Sequence, residues 1–419
     1  DYTEPSGGVE RQPREGKNDG ERTSEQLRAY PSASVAVRRS AATELPSGIP
    51  RKVGNERKMA GYFFYESIGS PKHIAAPMVQ LSELPFRLLV LRHGADLVYT
   101  PMINSNLWQH NGRYRQVNWH TCPADHPLFI QFCGNDPCNL LRAALSVQHL
   151  GESIDLNLGC PQRIARRGFY GAFLYEEPQL VFDMVRMLHD YLDVPITCKI
   201  RVLDQGEEAT IAYAKMLERA GCQLLCVHGR TRTQKGHNEV PPDWALVRKI
   251  REAISIPMFV NGGIDTHEDI EPALRLTGVD GCMSSRGLLR NPAIFEANPP
   301  SALDLAEEYL DLAEKYQCAT QAAMRGHVFN ILQGITEQQV DVREALTVAK
   351  TIGQFRSHVA ELRKREADGT TCLVAVLSEK RQLKVQARAQ RRLLDQQLAT
   401  EAVAGESMSS LFGDEDDTY

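Results

Sequence analysis

Short apolar segments recur eight times between residues 73 and 287, and amphipathic helical stretches separate them. They read HIAAPM (73–78), LVYT (97–100), FIQF (129–132), IDLNLG (154–159), ITCKIRV (196–202), LLCVHG (224–229), MFVNGG (258–263) and GCMSSRG (281–287). Strand-length apolar runs alternating with helices predict parallel strands joined by crossover helices. Residues 178–192 and 208–221 are two such helices, and Gly221 supplies a stop for the second. Eight units across roughly 215 residues fit an α/β fold of the (β/α)8 TIM-barrel type better than an open doubly wound sheet. The dinucleotide-binding open sheet also needs a GxGxxG turn after its first strand, and the sequence has none.

Outside these units the texture changes. Residues 1–69 are rich in Ser, Gly, Pro, Glu and Arg and read as a disordered tail. The barrel is expected over 70–298. Residues 299–365 carry helical runs without a strand pattern and read as a C-terminal helical domain. The stretch 366–419 holds a basic helix candidate within 375–398 and the acidic end GDEDDTY. The first residue is Asp rather than Met, which fits a fragment or a processed chain. No apolar run reaches the roughly 18 residues of a membrane helix, and the start has no secretory apolar core.

The 48 Lys and Arg against 53 Asp and Glu give a net charge of −5, which as a sum speaks against nucleic-acid binding. Binding responds to local charge, however, so a basic face is compatible with that total. Ten cysteines are scattered with no CxxC pair, as expected for buried thiols of a reducing compartment, cytoplasmic or nuclear. Cys222, Cys226 and His228 lack a second ligand pair, so packed thiols are expected there and no metal.

In such a barrel the chemistry sits where the strands end. Alternation puts Asp155, Asn157 and Gly159 on one face of their strand, with Cys160 following at the rim. Lys199 and Arg201 share the inward side of the next strand, where a buried lysine calls for an anionic acceptor. Gln131, His228 and Asn261 end neighbouring strands as further donors. Asn261-Gly262-Gly263 and Ser285-Arg286-Gly287 offer backbone N–H groups suited to a phosphate. A cofactor joining a phosphate to an electron-rich ring satisfies this set, and FMN is the expectation. Cys160 stands apart from the other thiols in its Gly-Cys-Pro turn, ahead of a mobile-looking loop with glycines at 168 and 171. Arg163, Arg166 and Arg167 in that loop, with Arg230, Arg232 and Lys235 after the sixth strand, predict a phosphate-binding rim.

These motifs resemble the tRNA-dihydrouridine synthases. The resemblance runs from about residue 71 to 300, and more weakly to about 365. It rests on APM (76–78), QFCGNDP (131–137), DLNLGCPQ (155–162), RRGFYGAFL (166–174), CKIRV (198–202), VHGRT (227–231), VNGGI (260–264) and RNPAIF (290–295). QFCGNDP together with TPMINS (100–105) looks most like the eukaryotic branch acting at D-loop positions 16 and 17. The resemblance implies FMN held by Pro77, Met78, Gln131, Lys199, His228, Asn261, Gly262, Gly263, Ser285 and Arg286. It implies Cys160 as the acid that protonates uracil C5, with hydride going from the flavin to C6 and NADPH, or NADH, as reductant. Asn157 and Arg201 would meet the uracil, and Arg163, Arg166, Arg167 and Arg230 the tRNA, with the helical domain as a second grip. The chain departs from the pattern at Ser285-Arg286, where many relatives have Gly-Arg, and at the second glycine of VNGGI. A monomer is expected.

Two other readings compete. An FMN barrel reducing a free pyrimidine, of the dihydroorotate or dihydropyrimidine dehydrogenase kind, has no use for arginine-rich loops. A non-catalytic RNA-binding relative has no reason to keep Cys160, Lys199 and His228 together.

Overall fold

The computed structural model describes residue 51, residues 60–337 and residues 339–368. The basic 375–398 segment, the acidic end and most of the expected N-terminal tail lie outside these residues. Among the described residues nine strands form: β1 (His73–Ala75), β2 (Val98–Tyr99), β3 (Ile103–Asn104), β4 (Leu128–Cys133), β5 (Ser153–Leu158), β6 (Ile196–Arg201), β7 (Leu225–His228), β8 (Met258–Asn261) and β9 (Gly281–Ser284). Every pairing is parallel, in the order β1-β9-β8-β7-β6-β5-β4-β2. A bridge between Ile74 and Leu97 returns β2 to β1, with Ala75 N–H donating to the Leu97 carbonyl at 2.9 Å. The eight anticipated strands thus close into a TIM barrel. β3 is an addition outside the ring, pairing with the end of β4.

Helix ends follow local chemistry. Asp136 caps the helix Pro137–Val147 by accepting from Asn139 N–H at 2.8 Å, with Pro137 at the first turn. Gly221 ends Glu207–Ala220 at φ 112°, a left-handed geometry natural to glycine.

The interior is layered. At the foot lie Tyr99, Phe129, Phe259 and Leu224, all buried. Here the expected tail boundary at 69 is corrected: Tyr62–Ser67 is a helix that inserts Phe64 and Tyr65 into this layer. The Phe64 ring stacks on Phe129 with centroids 5.9 Å apart. Gly61 N–H donates to Gln223 Oε1 at 2.8 Å, and the Tyr62 hydroxyl to Asp280 at 2.9 Å. A six-residue helix has too few turns to show a period, which is why composition alone placed it in the tail.

The C-terminal helices pack directly on the barrel. Ala302–Tyr316 lies against Leu84–Arg92 and Ile352–Ala367. Glu83 joins the two parts, accepting from the Tyr309 hydroxyl at 2.7 Å and meeting His327 Nε2 at 3.0 Å. The His327 ring also stacks on Phe86. No described helix is long and apolar enough to cross a membrane.

Candidate active site at the barrel mouth

A cleft of about 440 Å³ opens at the C-terminal end of the strands. Its walls contain Pro77, Met78, Gln131, Cys160, Lys199, His228, Asn261, Gly262, Gly263, Ser285 and Arg286, and also Asn157, Arg201 and Arg230. The period of two explains the convergence. Register pairs Gln131 with Asp155, Asn157 with Lys199, Arg201 with His228 and His228 with Asn261, so that all seven side chains share the inner face.

Beneath the cleft a chain of polar side chains runs across the strands. The Thr197 hydroxyl donates to Asp155 Oδ1 at 2.7 Å, and Gln131 Nε2 to Asp155 Oδ2 at 2.8 Å. Asn157 Nδ2 donates to Gln131 Oε1 at 2.8 Å, which leaves Asn157 Oδ1 to accept from Cys160 N–H at 2.9 Å. Burial pushes the Asp155 carboxyl up to about 6, against these hydrogen bonds and the Lys199 charge.

Lys199 feels the Asp155 carboxyl only through space and does not bond to it. Its ammonium donates to Asn261 Oδ1 at 2.9 Å, and Asn261 passes a bond to the Met283 carbonyl at 2.8 Å. Burial draws the lysine below its ordinary range. Burial, with Arg201, Lys199, Arg230 and Arg286 around it, holds His228 well below the usual imidazole range, so it is neutral. Burial first, and then Arg230, lowers Arg201 to about 10, which leaves it charged. The Cys160 thiol is raised by burial, partly offset by the Gln162 backbone, Arg201, Lys235 and Lys199. It is therefore a protonated thiol at neutral pH.

Gly262 and Gly263 take φ of 96° and 84°. A side chain on Gly262 would meet the His228 ring at 2.7 Å, and one on Gly263 the Pro242 ring at 2.9 Å. The glycines thus keep one wall of the cleft free of side chains, beside Ser285 and Arg286. That bare wall, with cations and neutral donors around it, fits a phosphate and an electron-rich ring such as FMN carries.

The basic rim is corrected at two of its six positions, Arg230 and Arg232. Arg163, Arg166 and Arg167 lie on a short helix, Arg163–Gly168, exposed beside the cleft and outside its lining. The mobile-looking loop after Cys160 is that helix followed by a 3-10 segment, Gly171–Glu176. Arg230 is buried, not on the rim: it pairs with Glu239 at 3.1 Å and donates to the Val240 carbonyl. Arg232 pairs with Glu176 at 2.8 Å and Asp204 at 3.1 Å, whereas Lys235 stays exposed in the cleft lining and donates to the Pro161 carbonyl. Arg286 also holds Glu239, with one bond at 2.6 Å. Glu239 lies in an aperiodic loop and left no signal in the pattern. Asp155 was visible on the inward face, but nothing showed it would anchor the polar chain. Cys222 donates to the Leu224 carbonyl and Cys226 packs on Met283 sulfur, as packed thiols do.

Similarity to known proteins comes in two forms. The pattern of the dihydrouridine synthase (Dus) family matches residues 74–395. A Mus musculus protein named tRNA-dihydrouridine(16/17) synthase-like is 45% identical over 298 residues, 70% of this chain and 62% of its own length. This chain therefore spans somewhat under two thirds of that relative. The tRNA-dihydrouridine(16/17) synthase of Schizosaccharomyces pombe is 40% identical over 329 residues, covering 74% of this chain and 82% of its own. That of Saccharomyces cerevisiae is 39% identical over 305 residues, covering 69% and 72%.

Proposed function

The chain belongs to the dihydrouridine synthase family, and on that premise we propose that it reduces uridine to 5,6-dihydrouridine in the D-loop of tRNA, at positions 16 and 17. The reading takes FMN as cofactor and NADPH or NADH as reductant. When bound, FMN supplies the hydride that goes to uracil C6. Lys199, His228, Asn261, Gly262, Gly263, Ser285 and Arg286, with Pro77, Met78 and Gln131, would hold it.

The observation that carries the proposal is Cys160: a protonated thiol, fixed by its backbone at the rim of a donor-lined cleft. A general acid must hold its proton at working pH, and burial secures that here. Cys160 gives the proton to uracil C5, and solvent restores it. As the C5=C6 bond is reduced, negative charge gathers toward the C4 carbonyl. The Arg201 guanidinium, oriented by the Gly159 carbonyl at 2.9 Å, answers that charge without reorganising. Asn157 lines the same pocket. The uridine reaches this depth only by leaving its stack. Exposed Arg163, Arg166 and Arg167 beside the mouth suit a large polyanion better than a free pyrimidine.

The test is dihydrouridine mapping by primer extension in tRNA from a strain lacking its own position-16/17 enzyme. Expression of this chain restores the signals at 16 and 17. Restoration elsewhere would reassign the position, and none at all would overturn the activity.

A further inference from the structure

Arg232 does not stand where a basic loop residue would be expected. Its guanidinium lies over the rings of Phe173 and Tyr175, 5.0 and 4.4 Å from their centroids. Its Nε donates to Asp204 at 3.1 Å and its NH1 to Glu176 at 2.8 Å, with the Ala172 carbonyl 3.5 Å away. Apart from Asp204, these partners all belong to Gly171–Glu176. That segment begins where Ala172 N–H donates to the carbonyl of Cys160 at 3.0 Å. A side chain on Gly171 would meet the same carbonyl at 2.8 Å.

Cys160 is consequently held on every side of its backbone. Asn157 takes its N–H, Arg201 takes the Gly159 carbonyl, Ala172 takes its own carbonyl, and Lys235 takes the Pro161 carbonyl. Arg201 also donates to the Thr231 carbonyl at 3.0 Å, so the residue next to Arg232 is tied to the same cation.

We propose that Arg232 is a positioning residue for Cys160, clamping the 171–176 segment onto the turn that bears the thiol. A guanidinium between two carboxylates and two rings has its charge and its planar fork already engaged, and offers little to an RNA phosphate. The functional meaning of the clamp rests on Cys160 being the acid proposed above; the clamp's geometry does not.

Wild type, Arg232→Ala and Arg232→Lys are alkylated with iodoacetamide across a pH series. Peptide mass spectrometry follows Cys160, with Cys122 as the reference within each sample. The groups around the thiol are Lys199, Arg201 and Lys235, with Cys133 and Tyr170 behind it, and none is altered. Loosening the turn relieves burial, so in Arg232→Ala Cys160 reacts roughly tenfold faster against Cys122, and its pH midpoint falls. Arg232→Lys keeps the charge but not the fork or the stacked plane, and behaves like the alanine variant.

Binding of tRNA by the same proteins keeps the wild-type salt slope, whereas a lost phosphate contact lowers that slope by about one. Unchanged Cys160 reactivity, or a reduced slope that lysine restores, overturns the proposal. Should Arg232→Ala fail to fold, Glu176→Gln weakens one arm of the clamp and must speed Cys160 alkylation; no change there refutes it. If no form binds tRNA, the proposed function fails, and the alkylation series still decides the role of Arg232.

Discussion

Asn157 accepts the backbone N–H of Cys160 at 2.9 Å because its amide nitrogen is already committed to Gln131. An amide has a donating end and an accepting end, so a row of amides has a direction. An ionised carboxylate only accepts, and Asp155 at the far end sets that direction for Gln131, Asn157 and finally the cysteine turn.

Asp155→Asn puts an amide nitrogen against either Gln131 or Thr197 and lets the row reverse. We expect a fold retained at a cost of about 1–3 kcal/mol, measured by urea unfolding. Turnover falls at least about tenfold, because the turn that places the proton donor loses its anchor.

Cys160→Ala removes the proton donor and nothing that lines the phosphate wall. Turnover drops by about 10²–10⁴-fold, the usual worth of a general acid, while flavin absorbance and tRNA retention on filters stay near wild type. Wild-type turnover in this variant would assign the acid elsewhere.

Glu239 is shared by Arg230 and Arg286 at the cleft wall. An incoming phosphate must compete with that carboxylate for Arg286. Glu239→Gln weakens the competitor, so the preference for FMN over riboflavin, read from fluorescence titrations, rises by about fivefold, or roughly 1 kcal/mol. A preference that falls would mean Glu239 builds the phosphate site rather than contesting it.

Glu83 couples the barrel to the helical array. Burial alone would raise its carboxyl, but His327 and Tyr309 outweigh that and hold it below the ordinary 4.5. A depressed folded-state value adds stability above the unfolded value, and that stability is lost as pH falls through the folded one. Glu83→Gln is therefore destabilising at neutral pH by about 1–3 kcal/mol. The gap in urea midpoints between variant and wild type narrows as the pH drops below 4.5.

Much of this was readable in advance, for a definite reason. Strand periodicity carries over directly to which residues face the barrel axis, so Gln131, Lys199, His228 and Asn261 could be placed together from spacing alone. Loop arginines have no period, and charge by itself says nothing about partners. Arg230 and Arg232 read as rim cations, yet their counter-charges, Glu239, Asp204 and Glu176, come from separate loops that only the fold brings near. Phe64 was missed for a related reason: one helical turn and a half leaves no pattern, although its ring fills the foot of the barrel.

That ring has a kinetic consequence. With Phe64 and Tyr65 packed among Tyr99, Phe129 and Phe259, the foot of the barrel is closed, and the described cleft opens at the other end, where the strands finish. On the proposed function, the nicotinamide and the nucleic acid must both come and go through it. Two guests that share one door take turns, so initial rates should trace parallel double-reciprocal lines, and an excess of either guest should slow the other.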